Sequence, residues 1–461
     1  MPYGDFRQVG NVSKFWLGIG VMSLGFLLSW RLRKVSGVWF WGVAILTRLL
    51  LLPMYPGDDV WRYLWEGYTQ TLGFSPYDLA PNAAELIPYR TQWWSQINHQ
   101  DVSAIYPPVT QLGFRVLATV TPSVWLFKAA FILADLLTCW LLSRRFTYQQ
   151  AIVYAWNPLI IYSFAGGAHY DSWFILPLVA AWLVFDYSGK ALRRRGEGEM
   201  GRGGDGEKEL SFREQFGIKS ALLLGISVAV KWMSLPILGF LTWRAFLEMK
   251  PSGNQSSNLL FQRERERGRE GEEEKNLSVR EQLVVNTKRA VVVLTLGFLP
   301  LAISAIGFCN SGECPLIPTG SVFVSHGRSA ELIPYLVSLY WEPSRWANWI
   351  YLFPLGLAGI WLLWRARSFL QFAQWYFFAL VTLSPIVHAW YFTWLVPFAV
   401  ATGNLGVRLV SISAFVYFVL QHRAALGNYD WDLTRQERLW LWLPFVLGWL
   451  WTTGLKSKSK F

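Results

Sequence analysis

Charge is scarce in this chain: Asp, Glu, Lys and Arg make up only 16% of 461 residues, against 53% hydrophobic and 17% aromatic. So little polar surface excludes a soluble globular protein. No glycine-rich fingerprint for a nucleotide phosphate is present, of either the Rossmann or the phosphate-loop kind. The first apolar run, 15–30, lacks a small-residue cleavage site and is followed at once by another span, so it reads as a retained helix and not a signal peptide. Cysteine is down to three residues and says little. Cys139 lies in an apolar run and reads as a small core residue. Cys309 and Cys314, in Cys-Asn-Ser-Gly-Glu-Cys, permit a short disulfide in an oxidising compartment, but two thiols without a second pair fall short of tetrahedral metal ligation.

What the chain has instead is long apolar runs. Roughly thirteen stretches, from 14–30 and 36–54 to 437–453, are candidates to span a bilayer. The mean hydropathy is +0.27. The expectation is an all-α polytopic membrane protein with roughly 11–13 transmembrane helices, one membrane domain over 1–461. Trp and Tyr, 28 and 19 residues, suit amphipathic rings at headgroup depth or the lining of a cavity. The net charge of +12 superficially suggests nucleic acid. That partner is set aside, because the basic residues fall in short clusters beside apolar spans.

If Arg31 to Lys34 face the cytoplasm, alternation also places Arg144-Arg145, Arg193 to Arg195, Arg365 to Arg367 and the Lys456 to Lys460 tail inside. All five histidines (His99, His169, His326, His388 and His422) and both Asp58 and Asp59 then gather on the extracytoplasmic side. This assignment treats 106–121, which opens Tyr-Pro-Pro, as a helix that does not span. It leaves a long extracytoplasmic loop over 55–122. Residues 189–215 and 250–286, rich in Gly, Ser, Arg and Glu, are expected to be disordered cytoplasmic insertions.

Chemistry concentrates where charge interrupts apolar sequence. Asp58-Asp59 with Arg62 follows the second apolar run directly; such carboxylates are either a helix cap with a first-turn acid or functional groups. Asn157-Pro158-Leu159 leads to Gly166-Gly167-Ala168-His169-Tyr170-Asp171; Lys231 stands between two apolar runs; Ser384-Pro385 precedes His388, Trp390 and Tyr391. Bland alternatives are a snorkelling Lys231, a structural His169–Asp171 bond, a capping His388 and belt rings for Trp390 and Tyr391. His99 and Asp101 read as loop polar groups outside the core site.

The runs GDDVWRYLWEGYTQTLGFSPYDLAP (57–81), INHQDVSAIYPPVTQ (97–111), AWNPLIIYSFAGGAHYD (155–171) and SPIVHAWYFTWLVPF (384–398) resemble the multi-spanning glycosyltransferases of the GT-C type. They are most similar to the bacterial polyprenyl-phosphate-mannose-dependent mannosyltransferases. The chain departs from that pattern with Gly57 before the acid pair, Glu66 for the usual Asp, Ser163 where Glu is common, and the two charged insertions.

The resemblance implies inverting sugar transfer, most simply of mannose, from a lipid-linked sugar phosphate to a glycan or glycolipid acceptor. It also implies a bacterial plasma membrane with the site on its outer face. In that reading Asp58 or Asp59 is the general base, and Arg62, His169, Asp171, Lys231, Arg328 and His388 form the surrounding polar site. Arg62 pairs with the acid or reaches phosphate; His169, Lys231, Arg328 and His388 are candidate phosphate contacts. Trp390 and Tyr391 offer ring faces to a sugar or isoprenoid. No cofactor is expected; an acidic pair with nearby His is compatible with Mg²⁺ or Mn²⁺, but cationic side chains can neutralise a monophosphate without one. A lipid or solute transporter and an envelope-glycan polymerase or ligase are the alternatives. No evident internal repeat and the one-sided polar loops count against the transporter.

Overall fold

The computed structural model describes residues 3–198, 206–247, 279–309, 325–428 and 430–458. Among them all regular elements are helical, with one isolated bridge between Tyr3 and Met54. Helices satisfy their own backbone groups, as a segment in lipid must. In chain order they are α1 (Val9–Ser29), α2 (Gly37–Leu51), α3 (Asp59–Thr71), α4 (Pro108–Val120), α5 (Val124–Arg145), α6 (Tyr148–Ala155), α7 (Pro158–Ile161), α8 (Ser172–Gly198) and α9 (Gly206–Val230). There follow α10 (Leu235–Leu247), α11 (Val279–Ala305), α12 (Ile333–Ser338), α13 (Leu352–Arg365), α14 (Phe369–Leu383), α15 (Val396–Thr402), α16 (Leu405–Ser413), α17 (Phe418–Ala425) and α18 (Arg435–Lys458).

Among the described residues, four helical stretches are long and apolar enough to cross a membrane: Gly10–Ser29, Val124–Arg145, Arg280–Phe308 and Leu405–Ala425. Six more apolar helices have 10–17 residues. The all-α polytopic class expected from composition is therefore what the chain adopts. On α1, Leu17, Val21, Leu24 and Leu28 form an exposed apolar stripe, the face such a helix turns to lipid. Helix α4 has 13 residues, too few to span, in line with the reading of 106–121.

Several helices are short because the sequence breaks them where the chemistry lies. Asn157 caps α7 through its side-chain oxygen, which accepts from the N–H groups of Leu159 and Ile160, and Pro158 takes the first helical position. A π-type turn over Tyr162–Gly166 follows, a local irregularity that often marks a functional site. Lys231 is extended (φ −153°, ψ 124°) between α9 and the next turn, and α14 stops at Leu383, before Ser384-Pro385. Irregular backbone at this depth is tolerated where it lines a protein-enclosed space.

The 189–215 insertion is helical at both flanks, since α8 runs to Gly198 and α9 begins at Gly206; residues 199–205 lie outside the described residues. Of the 250–286 insertion, residues up to 278 lie outside the described residues, and α11 begins at Val279. Cys139 is buried and free, Cys309 is disulfide-bonded, and Cys314 lies outside the described residues.

A fully buried ion pair ties the first half of the bundle. Arg48 of α2 sets Nε 2.7 Å from Asp135 Oδ2 on α5 and donates from Nη1 to the carbonyl of Ala155, at the end of α6. Charges this deep are tolerated because each finds a partner.

Candidate active site

The acid pair sits where the chain leaves α2 and starts α3. Asp58 occupies the N-cap position of α3, but its side chain makes no cap hydrogen bond, so the capping explanation for it fails. Two neighbours hold the turn that carries it. The Gly57 N–H donates to the carbonyl of Gly167 (3.0 Å), joining the Gly57-Asp58-Asp59 turn to the Gly166–His169 segment. A Cβ on residue 57 would stand 3.0 Å from that carbonyl oxygen, so glycine here permits the close approach. Lys128 of α5, fully buried, donates to the carbonyls of Leu52 (3.2 Å) and Met54 (2.6 Å) just upstream. In doing so it satisfies backbone acceptors left open at the end of α2.

The two carboxylates have unequal surroundings. Asp59 Oδ1 accepts from Asn98 Nδ2 at 2.9 Å, while its Oδ2 lies 3.4 Å from the Tyr63 hydroxyl and 3.5 Å from His169 Nδ1. Asp58 is exposed, and its Oδ2 lies 3.3 Å from Asn98 Nδ2. Crowding by protein and the charge of Asp59 raise the Asp58 pKa above the usual carboxylate value. Burial also works to raise Asp59, but the hydrogen bonds and charge of His169 and Asn98 prevail and hold it well below that value.

His169 enters the site through a strained segment. Ala168 has φ +61°, a left-handed conformation uncommon for a residue with a Cβ, and the His169 N–H donates to the Ser163 carbonyl (2.9 Å). The His169 ring stacks on Trp390 at 3.7 Å, and His388 stacks on the same indole at 4.5 Å. His388 Nδ1 lies 2.6 Å from the Tyr417 hydroxyl. Burial pushes the His388 pKa down to about 3, so its imidazole is neutral at ordinary pH.

Beside this stack lies a second charged pair. Lys231 Nζ is 2.6 Å from Asp171 Oδ1, which also accepts from the Trp394 indole N–H at 2.7 Å. Lys231 lies 4.9–5.6 Å from the ring centroids of Tyr170, Phe174, Tyr391 and Trp394. Its side chain keeps 14% exposure against 1% for Asp171, so it is the member of the pair open to a ligand. A snorkelling lysine would not be enclosed by four rings.

Eight of the ten residues singled out in the sequence thus converge: Asp58, Asp59, His169, Asp171, Lys231, His388, Trp390 and Tyr391. Two have other tasks. Arg62 is buried, with Nε 2.7 Å from Glu66 and its other nitrogens donating to the carbonyls of Asn98, His99, Val102 and Ser103. It clamps the loop that carries Asn98, and its donors are spent on that. Arg328 donates to the carbonyls of Ser344 and Arg345. Trp390, 7% exposed and stacked on two imidazoles, orients those rings in place of presenting an open platform.

Asn98, Tyr63, Trp394 and Tyr417 are site residues that sequence reasoning passed over. Asn98 and Trp394 stood inside the quoted runs 97–111 and 384–398, whereas Tyr417 has no local signal. Among the described residues no group of three or more His, Cys, Asp or Glu side chains is placed to hold a metal ion.

Comparison with known proteins identifies a family. The family profile described as "Alpha-(1->6)-mannopyranosyltransferase, N-terminal domain", of the MptA_B family, matches residues 5–247, just over half of the chain. That stretch contains Asp58, Asp59, His169, Asp171 and Lys231. No curated protein matches. Among solved structures the chain is similar to the oligosaccharyltransferase of Archaeoglobus fulgidus in its apo form, with 15% identity and a TM-score of 0.35 over 91% of this chain and 56% of that one. The same enzyme tethered to an acceptor peptide containing the NVT sequon gives 14% identity and a TM-score of 0.34 over 91% and 55%. The chain therefore spans little more than half the length of that protein.

Proposed function

We propose a mechanism for a chain that belongs to the MptA_B family of alpha-(1->6)-mannopyranosyltransferases. Family membership makes it a glycosyltransferase of mannosyltransferase type and sets the transporter aside. In our reading it transfers mannose from a polyprenyl-phosphate donor to a glycan or glycolipid hydroxyl on the extracytoplasmic face of a bacterial plasma membrane, with inversion. An α product formed by inversion requires a β-linked donor.

The inequality of the two carboxylates carries the reading. Paired acids whose surroundings push them apart have divided roles. Asp59, engaged by Asn98, Tyr63 and His169, stays ionised and fixes the turn. Asp58, accessible and with its affinity for protons raised, is the general base that takes the proton of the attacking acceptor hydroxyl. As the bond from the anomeric carbon to the phosphate oxygen breaks, negative charge grows on the departing polyprenyl phosphate. Lys231 meets that charge, with Asp171 and Trp394 fixing the position of its ammonium. Neutral His388, tied to Tyr417, adds a ring N–H. No step is assigned to a metal.

Purified protein given labelled mannose on a polyprenyl phosphate, or the same sugar on a nucleotide, tests the donor class. Transfer from the lipid alone is expected. Transfer from the nucleotide alone would overturn the reading.

A further inference from the structure

An apolar groove of about 400 Å³, separate from the acid pair, runs between α4, α5, α8 and the end of α9. Helix α5 lines it with Ala130, Leu133, Ala134 and Leu137, a single stripe at i, i+3, i+4 and i+7. Residue 113 has no side chain, and a Cβ there would sit 2.4 Å from the Trp173 ring, so glycine lets that ring approach α4 at the groove. None of the lining residues is charged. The groove opens sideways, not toward the loops: Leu133 and Leu137 are 60% and 41% exposed, on a helix long and apolar enough to cross the bilayer.

Its position relative to the site is what gives it meaning. Val230, at one wall, is followed directly by Lys231, and Trp173 comes two residues after Asp171. The Thr110 hydroxyl, one residue on from lining residue Val109, donates to the Val230 carbonyl at 2.7 Å and fixes that end of the groove. A chargeless, membrane-facing trough thus adjoins the partly exposed cation of the site. This arrangement complements a molecule with a hydrocarbon tail and an anionic head, and gives a soluble substrate nothing to bind.

We propose that the groove seats the isoprenoid chain of the donor, with the phosphate at Lys231 and the chain leaving along α5 into the bilayer. This rests on the lipid-donor reading above and adds where the lipid lies. Because the groove is open along its side, it grips only the units nearest the phosphate and leaves the remaining chain in lipid.

The test compares two donors carrying the same sugar phosphate, one on a long polyprenyl chain and one on a short, water-soluble chain, in wild type and in Ala130→Phe and Leu133→Trp. Both substitutions place bulk in the trough, and neither residue belongs to the catalytic machinery. We expect KM for the long-chain donor to rise about tenfold, the worth of burying about two carbons, while kcat and the short-chain KM stay near wild type. Equal effects on both donors, or none on either, would overturn the groove, as would be found if bulk phospholipid occupies it. A wild type that uses neither lipid donor would instead refute the lipid-donor reading itself. Photo-crosslinking of wild type with a diazirine-bearing polyprenyl phosphate needs no variant: adducts on α5 or Trp173 support the assignment, and adducts confined to other helices refute it.

Discussion

Replacing Arg62 by methionine separates a structural clamp from a phosphate ligand. In the wild type its guanidinium neutralises Glu66, 2% exposed, and donates to four carbonyls of the 98–103 loop. Methionine keeps the stem and removes every donor. Glu66 then keeps the hydrogen bond from Gln111 Nε2 at 2.7 Å but loses its charge partner, in a site where burial already raises its pKa. Breaking one side of a buried pair costs about 3–5 kcal/mol. Spread over 461 residues, that is a fall of about 3–5 °C in apparent melting temperature. The loop also carries Asn98, the shared donor to Asp58 and Asp59, so kcat falls as well. Thermal unfolding in detergent, read beside kcat and KM, is the assay. A variant as stable as wild type, with kcat intact and only the donor KM raised, would refute the clamp and restore Arg62 as a phosphate ligand.

Three further outcomes are expected. Asp59→Asn removes one of the two causes that raise Asp58, so the acid limb of the kcat profile, where activity appears as the base loses its proton with rising pH, moves to lower pH; a limb that stays in place argues against Asp58. Lys231→Met removes the proposed leaving-group cation and leaves Asp171 buried without its ion-pair partner, so transfer falls about 10²–10³-fold, mostly in kcat; measured by initial rates, a change in KM alone would contradict the leaving-group role. Gly67→Val forces a Cβ to within 2.5 Å of the Phe114 carbonyl oxygen where α3 crosses α4, and is expected to lower yield and melting temperature; a fully stable variant would show that α3 and α4 separate freely.

The helical membrane class was readable because apolar runs and sparse charge leave few other folds. The acid pair, His169, Lys231 and His388 were readable for a related reason: each interrupts an apolar run, and such interruptions are costly. The contacts of Arg62 were not legible from its i, i+3 relation to Asp59, because they run to Glu66 one turn on and to carbonyls some forty positions away. Arg48 with Asp135, 87 residues apart, and His388 with Tyr417 have no local periodicity that would pair them. At the flanks of the 189–215 insertion, where composition predicts disorder, helices α8 and α9 continue.

The most direct measurement is release of polyprenyl phosphate and formation of the α-(1→6) mannoside by purified wild type, with Asp58→Asn and Asp59→Asn alongside. The account predicts that wild type forms both products together, that Asp58→Asn loses about 10²–10⁴ in kcat with little change in KM, and that Asp59→Asn keeps more activity than Asp58→Asn. Full transfer by a folded Asp58→Asn protein would contradict it.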